Sequence, residues 1–367
     1  MPESIKTINF EEALNQKIIK NLNCNYSSFL DENFYNHPYE PKVQILPSNL
    51  KDKIFHYTYS KYYAPKHSME MTIQRMLQIK ISYFQYCYDI LEDQKSKDLL
   101  IELTVMRICG AHKIKLSIEN SNYLEYHKEV SQIENKKQSI PTNFRNIFLT
   151  YFEFDNLKLF NTVMGVVTIF KQEQYANKLN NVYVEENDIV FDCGGCWGET
   201  ALYFSEKTKN GKVFSFEFIE SNIDIFKKNI ILNDKKNIEI IPHPLWSEDN
   251  LEFYYFDNGP ASQVSLEKTK ELNQIVKSTT IDKIVSLNKL NKVDFIKMDI
   301  EGAELEALKG AVESLKKYKP KLAISLYHKN IDFYTIPHFI NDLNLGYKFY
   351  LGHATPTQSE TVLFAAI

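Results

Sequence analysis

The chain has 367 residues, 44% hydrophobic and 13% aromatic, enough to bury a large core in about two domains or in one domain with a long extension. Its formal net charge of −4 leaves no basic footprint for nucleic acid. Arginine, the side chain best suited to phosphates and guanine, stands only at Arg75, Arg107 and Arg145.

The early chain reads as an extension. Residues 1–65 are polar and punctuated by Pro38, Pro41, Pro47 and Pro65, with a short helix expected over Glu11–Leu22. From Ser68 to Glu92, Met71, Met76, Ile79, Tyr83, Tyr86 and Ile90 recur at helical steps, and Ser96–Ile108 reads as a second helix closed by Gly110. Residues 112–150 are mixed and lysine-rich, with Pro141 near a boundary. The spacing predicts strand-like runs at Leu157–Phe160 and Val166–Phe170, then a helix over Gln172–Leu179. Residues 1–12 lack the apolar core of a signal peptide. The runs Leu99–Ile108 and Leu159–Phe170 are too short to cross a bilayer, so the expectation is a cytoplasmic protein without a membrane span.

From residue 188 strands and helices alternate. Strands are expected at Ile189–Cys193, Gly211–Phe218, Asn237–Pro242, Val293–Met298 and Lys321–Tyr327, with helices near 199–206, 221–233, 302–317 and 332–343. Tyr347–Gly352 and Glu360–Ala366 would form an antiparallel hairpin at one edge. This alternation predicts an α/β fold with a largely parallel, doubly wound sheet over 151–367, preceded by a mainly helical extension over 1–150.

In such sheets ligands bind outside the carboxyl ends of the strands. The first strand ends in Asp192-Cys193-Gly194-Gly195-Cys196-Trp197-Gly198, where Gly194, Gly195 and Gly198 let the backbone turn and approach a ligand. A carboxylate stands there in place of the lysine of a phosphate-binding loop, which favours a cationic, phosphate-free cofactor such as S-adenosylmethionine. Glu217 ends the second strand, placed to accept hydrogens from ribose hydroxyls, with Asn222 a second candidate for the ribose. Ser221 and Asp224 fit the cap and first turn of a helix. Asp299 ends the fourth strand, where it could hold the amino-acid end of the cofactor, a metal or a substrate hydroxyl. Glu301 and Glu304 follow it at the helix start. Tyr327 and His328 end the fifth strand, and His328 is the best candidate base, because an imidazole titrates near neutrality. His243 and His353 are weaker candidates.

Cys193-Gly194-Gly195-Cys196 has the spacing of a redox or zinc pair. No second pair accompanies it, so both cysteines read as small loop residues; the other three (Cys24, Cys87, Cys109) are scattered, unlike a secreted disulfide framework. A dinucleotide dehydrogenase would need G-x-G-x-x-G, which this loop departs from. Base methylation commonly uses an Asn/Asp-Pro-Pro-aromatic turn, and here the turn is Asp299-Ile300-Glu301-Gly302.

Together these motifs resemble the FkbM family of S-adenosylmethionine-dependent methyltransferases. The carrying pieces are Val190–Thr200, Val213–Glu217 and Phe295–Glu304. Thr280-Ile281-Asp282, Leu322–Lys329 and Glu360–Ala365 support them, and the clear likeness covers about 170–367. The resemblance implies a class I methyltransferase sheet of order 3-2-1-4-5-7-6. It also implies transfer of a methyl group to a hydroxyl of a sugar, glycan or natural product. Asp192, Gly194 and Gly198 carry over as the cofactor loop and Glu217 as the ribose acid; Asp299, Glu301 and His328 match motif positions. Cys193, Cys196 and the bulky Trp197 depart from the family's usual loop. Asp299 and Glu301 could hold a divalent metal, which would lower the pKa of the attacked hydroxyl. The extension is left two roles, binding the acceptor or forming a homo-oligomer. Two other readings are a nucleic-acid methyltransferase and a non-catalytic cofactor-binding scaffold for glycan synthesis.

Overall fold

The computed structural model describes residues 9–22, 79–109, 114, 116–117, 123–144 and 147–367. It divides into two compact units, residues 1–122 with 355–359, and 123–354 with 360–367. Among the described residues no helix is long and apolar enough to cross a membrane.

The first unit contains helices α1 (Phe10–Leu22), α2 (Ile81–Ile90) and α3 (Gln94–Cys109). Phe10, Leu14 and Ile18 repeat every fourth residue and are buried, so α1 turns one apolar stripe inward. Asn9 accepts from the Glu12 backbone N–H at 2.8 Å and caps the helix. On α2 the buried face is Phe84 and Cys87. Tyr83, Tyr86 and Ile90 of the expected stripe are only half-buried, while Met71, Met76 and Gly110 lie outside the described residues.

The second unit opens with helix α4 (Tyr123–Ile133) and a three-stranded antiparallel sheet of β1 (Asn135–Pro141), β2 (Phe148–Phe154) and β3 (Leu157–Asn161). The α/β region expected over 151–367 is thus preceded by elements of the same unit. These earlier elements pack into it because Tyr123, Val130, Phe152 and Leu159 share an apolar cluster with Leu202. The expected strand at Val166–Phe170 is instead a π-helical segment, Val166–Lys171. Val166 and Val167 pack into the same cluster, and that contact overrides the β preference of a branched run. Nor is Gln172–Leu179 a helix. Glu173 has φ +51°, and Asn177 pairs with Val182, which turns Gln174 and Tyr175 toward the interior.

The large sheet follows: β4 (Ile189–Cys193), α5 (Glu199–Thr208), β5 (Lys212–Phe216), α6 (Glu220–Leu232) and β6 (Ile238–Ile241). A second small antiparallel sheet interrupts it, made of β7 (Glu252–Tyr255), β8 (Val264–Ser265) and β9 (Gln274–Lys277). Then come α7 (Ile281–Leu287), β10 (Phe295–Met298), α8 (Glu304–Lys309), α9 (Val312–Tyr318), β11 (Lys321–Ser325), α10 (Asp332–Asp342), β12 (Lys348–His353) and β13 (Thr361–Ala366). The seven strands lie in the order β12-β13-β11-β10-β4-β5-β6; numbered within this sheet along the chain and read from the other edge, that is 3-2-1-4-5-7-6. β6, β5, β4, β10 and β11 run parallel, and the β12–β13 hairpin closes one edge antiparallel. The central strands are buried on both faces, so they read as mainly apolar runs, interrupted by Asp192, Ser215 and Lys297.

Two local differences matter for the site. The single helix expected over 302–317 breaks at Gly310, where an added Cβ would sit 2.2 Å from the Trp246 carbonyl. Ser221 does not cap α6; its hydroxyl donates to Asp257 at 2.8 Å, and the first turn is instead fixed by the Ile219 N–H donating to Glu217 at 2.7 Å.

Candidate active site

The tips of β4, β5, β6 and β10 surround one cleft of about 200 Å³. Its floor is Gly194 and Cys196; Glu217, Phe218 and Ile219 form one side, and Asp299 to Ala303 the other. His243 to Trp246 after β6 and Gly259 to Val264 before β8 complete the wall. This last part of the wall comes from the interruption between β6 and β10, which has no periodicity in the sequence.

The floor is a tight turn held by the N–H groups of Gly194 and Gly195, which donate to the Phe216 carbonyl at 3.1 and 2.8 Å. Gly194 has φ +95°, and a Cβ there would lie 1.9 Å from the Asp299 carbonyl oxygen. Gly198 has φ +90°, and its Cβ would strike the Phe226 ring at 2.2 Å. These glycines are required because the loop packs against β10 and α6 while leaving its upper surface open.

Asp192 does not line the cleft. It is fully buried, accepts from Thr200 at 3.0 and 2.9 Å and from Ser215 at 2.7 Å, and pairs with the Lys297 ammonium at 3.2 Å. Lys297 also donates to the Gly194 carbonyl at 2.6 Å and lies over the Tyr175 ring. Burial pulls the Lys297 pKa down, but the carboxylates of Asp192 and Asp299 outweigh it, and the pKa is raised. Asp192 thus orders the loop from beneath. The sequence signal for its partner is a lysine inside the run Phe295-Ile296-Lys297-Met298: a cation in a strand buried on both faces requires an anion beside it.

Glu217 lines the cleft and is 8% exposed. Burial raises its pKa to about 7, against the opposing pull of the Ile219 N–H and the Asn222 amide. Asn222 itself stands behind the cleft wall; its Oδ1 accepts from the Trp197 indole at 3.1 Å, so Trp197 at the loop crest is turned into the core.

Asp299 joins the cleft to a buried polar cluster. The Tyr175 hydroxyl donates to it at 2.7 Å and the Tyr327 hydroxyl at 3.0 Å, and His328 Nε2 lies 3.3 Å from its Oδ1. Burial raises its pKa, but the charges of His328 and Lys297 and the two tyrosine hydroxyls reverse this, and the net shift is downward. His328 Nδ1 lies 3.0 Å from Glu304, and Glu301 stands 3.9 Å from Nε2. Burial lowers the His328 pKa, but the surrounding carboxylates raise it to about 10. This corrects the sequence expectation of a neutral base: at neutral pH the ring already holds its proton. Glu304 accepts from the Ile300 N–H at 2.9 Å. Glu301 has φ +56°, a strained conformation at the cleft rim. Glu360, bonded to Gln174, extends the cluster, and burial raises its pKa to about 7. Tyr175, Gln174 and Glu360 carried no signal as site residues in the sequence.

His243 borders the cleft, and its Nδ1 pairs with the Lys277 carbonyl. His353 pairs with Thr361 and does not line the cleft. Burial raises both loop thiols well above their ordinary range, first through desolvation and then through nearby carboxylates. Cys193 and Cys196 therefore stand in the loop as thiols.

Residues 185–349 match the family model of the methyltransferase FkbM domain. A hexuronic acid methyltransferase, AglP, of Haloferax volcanii is 29% identical over 133 residues, which is 36% of this chain and 53% of that protein. The methyltransferase sdnD of Sordaria araneosa is 28% identical over 159 residues, 35% of this chain and 61% of its own length. The chain thus spans little more than half the length of the curated relatives it matches. Among solved structures, a methyltransferase FkbM from Methylobacillus flagellatus is 20% identical with a TM-score of 0.49, over 78% of this chain and 58% of that one.

Proposed function

We propose a chemistry for this chain from one premise: it belongs to the FkbM methyltransferase family, by its domain over residues 185–349. The proposal is an S-adenosylmethionine-dependent O-methyltransferase whose acceptor is a hydroxyl of a sugar, glycan or natural product. One observation carries it. Glu217 and Asp299, carboxylates at the tips of β5 and β10, border a single cleft floored by the Gly194 turn. Glu217 would accept hydrogens from both ribose hydroxyls, with Phe218 and Leu245 as apolar faces for the adenine. The Gly194–Cys196 backbone would run beneath the methionine part, bringing the sulfonium toward Asp299. The hexuronic acid methyltransferase among the relatives supports a sugar-type acceptor.

In the reaction the acceptor oxygen attacks the methyl carbon. The carbon–sulfur bond breaks, its electron pair stays on sulfur to give S-adenosylhomocysteine, and the hydroxyl proton passes to Asp299. Tyr327 and His328 would fix the Asp299 carboxylate, and proximity and orientation would supply much of the rate. The test is calorimetric titration with S-adenosylmethionine, followed by an assay for S-adenosylhomocysteine with a panel of glycans and polyols. The expected result is one cofactor per chain, with turnover on a hydroxylated acceptor. No cofactor binding, or binding without turnover on any acceptor, would overturn the reading.

A further inference from the structure

We infer that Asp299, Glu304 and His328 form a divalent-cation site at the tips of β10 and β11. One donor atom from each lies within 4.8 Å of the others. Proximity alone is common among acids; the second observation concerns hydrogen bonding. Glu304 Oε2 and both ring nitrogens of His328 are buried and have no hydrogen-bond partner, in side chains only 1% and 8% exposed. An imidazolium held for its charge would aim its N–H bonds along the carboxylate lone pairs. Here the ring approaches Glu304 at 3.0 Å and Asp299 at 3.3 Å without aligning to either.

The two approaches use opposite ring nitrogens, Nδ1 toward Glu304 and Nε2 toward Asp299, so a shared ion would take one of them, together with one oxygen from each carboxylate of the group that lies within 4.8 Å. Ligands on one ion with bonds of ~2.1 Å lie about 3 Å apart at right angles and about 4 Å apart across the ion. Oε1 of Glu304 is already held by the Ile300 N–H at 2.9 Å, which fixes the carboxylate and leaves Oε2 for a ligand. Glu301, 3.9 Å from Nε2 on the cleft side, offers a further oxygen. Two carboxylates and one imidazole are a donor set for Mn²⁺ or another first-row divalent ion, with remaining positions open to water. The cation would take the place of the proton on His328. Its chemical use, making a hydroxyl placed against Asp299 more acidic, rests on the methyl-transfer reading. The site itself rests on geometry alone.

The test is calorimetric titration of the chelator-treated full chain with MnCl₂, paired with electron paramagnetic resonance of free Mn²⁺. One saturable site per chain is expected. Affinity should fall at least tenfold in Glu304→Gln and in His328→Gln and stay unchanged in Glu217→Gln. Because Glu304 also caps backbone, His328→Gln is the deciding variant, and its melting curve without metal verifies that it folds. Absence of saturable binding in the parent, or equal binding by His328→Gln, overturns the site. Separate S-adenosylmethionine titrations keep the outcomes apart: cofactor binding without Mn²⁺ binding rejects the cation site alone, and the reverse rejects the methyl-transfer reading alone.

Discussion

Asp192 and Asp299 stand at the tips of two paired parallel strands, yet they do different work. Asp192 is buried, and its partners Thr200, Ser215 and Lys297 satisfy it within the fold. Asp299 lies one residue beyond β10, borders the cleft, and keeps 17% of its side chain exposed. Asp192 stands one residue before the end of β4, opposite Lys297, and Asp299 two register positions further along; that offset separates a carboxylate that builds the loop from one that can meet a ligand. Residue type and strand-end position were alike for both; the neighbours differ. Lys297 sits between them and links the two, since its charge pairs with Asp192 and also favours ionised Asp299.

The comparison is broken most directly at Asp192. Removing it takes the paired carboxylate from the buried Lys297 ammonium and leaves it only the more distant charge of Asp299 and the Gly194 carbonyl, so Asp192→Ala should cost about 3 kcal/mol of stability. Thermal unfolding should fall by about 10 °C, and Lys297→Met in that background should recover part of the loss. If Asp192→Ala melts like the parent but no longer binds cofactor, Asp192 belongs to the site and the contrast fails. At the other tip, Asp299→Asn should melt within a few degrees of the parent and bind cofactor nearly as well. Its turnover should drop by about 10²-fold or more. A large fall in melting temperature with turnover preserved in the folded fraction would make Asp299 a second structural acid.

How much of this was legible depended on range along the chain. The strand and helix alternation was readable because each central strand is a short apolar run with an acid or glycine at its end, as at Asp192, Glu217 and Asp299. Contacts made across long separations were not. Tyr175 reaches Asp299 over 124 residues and Gln174 reaches Glu360 over 186, and neither has a periodicity that betrays a partner. The Val166–Lys171 segment misled because branched residues favour strands in isolation, whereas packing on α4 and α5 decides here. The intrinsic pKa of His328 suggests a base, and three nearby carboxylates override it. Lys297 was readable in principle, as a charge where only apolar residues belong.

Glu217 gives the mildest test, and its pH dependence sharpens it. Burial raises its pKa from 4.5 to about 7, so the folded protein holds this proton more tightly than the unfolded chain. The stability contributed by protonated Glu217 is therefore fully present below pH 4.5 and is lost as pH rises through about 7. Cofactor binding should run the other way. Only the carboxylate accepts both ribose hydroxyl hydrogens, so affinity should rise by up to about tenfold per pH unit below the raised pKa and level off above it. Glu217→Gln keeps the shape but loses the charge, and it should bind about tenfold more weakly at pH 8, the cost of one charge-assisted hydrogen bond. Its affinity should also be nearly flat between pH 6 and pH 8. A variant that keeps the parent's slope would place the titrating group elsewhere. A variant with the parent's affinity would remove Glu217 from the ribose and leave Asp299 and Glu301 as the acids of the cleft that can meet the ligand.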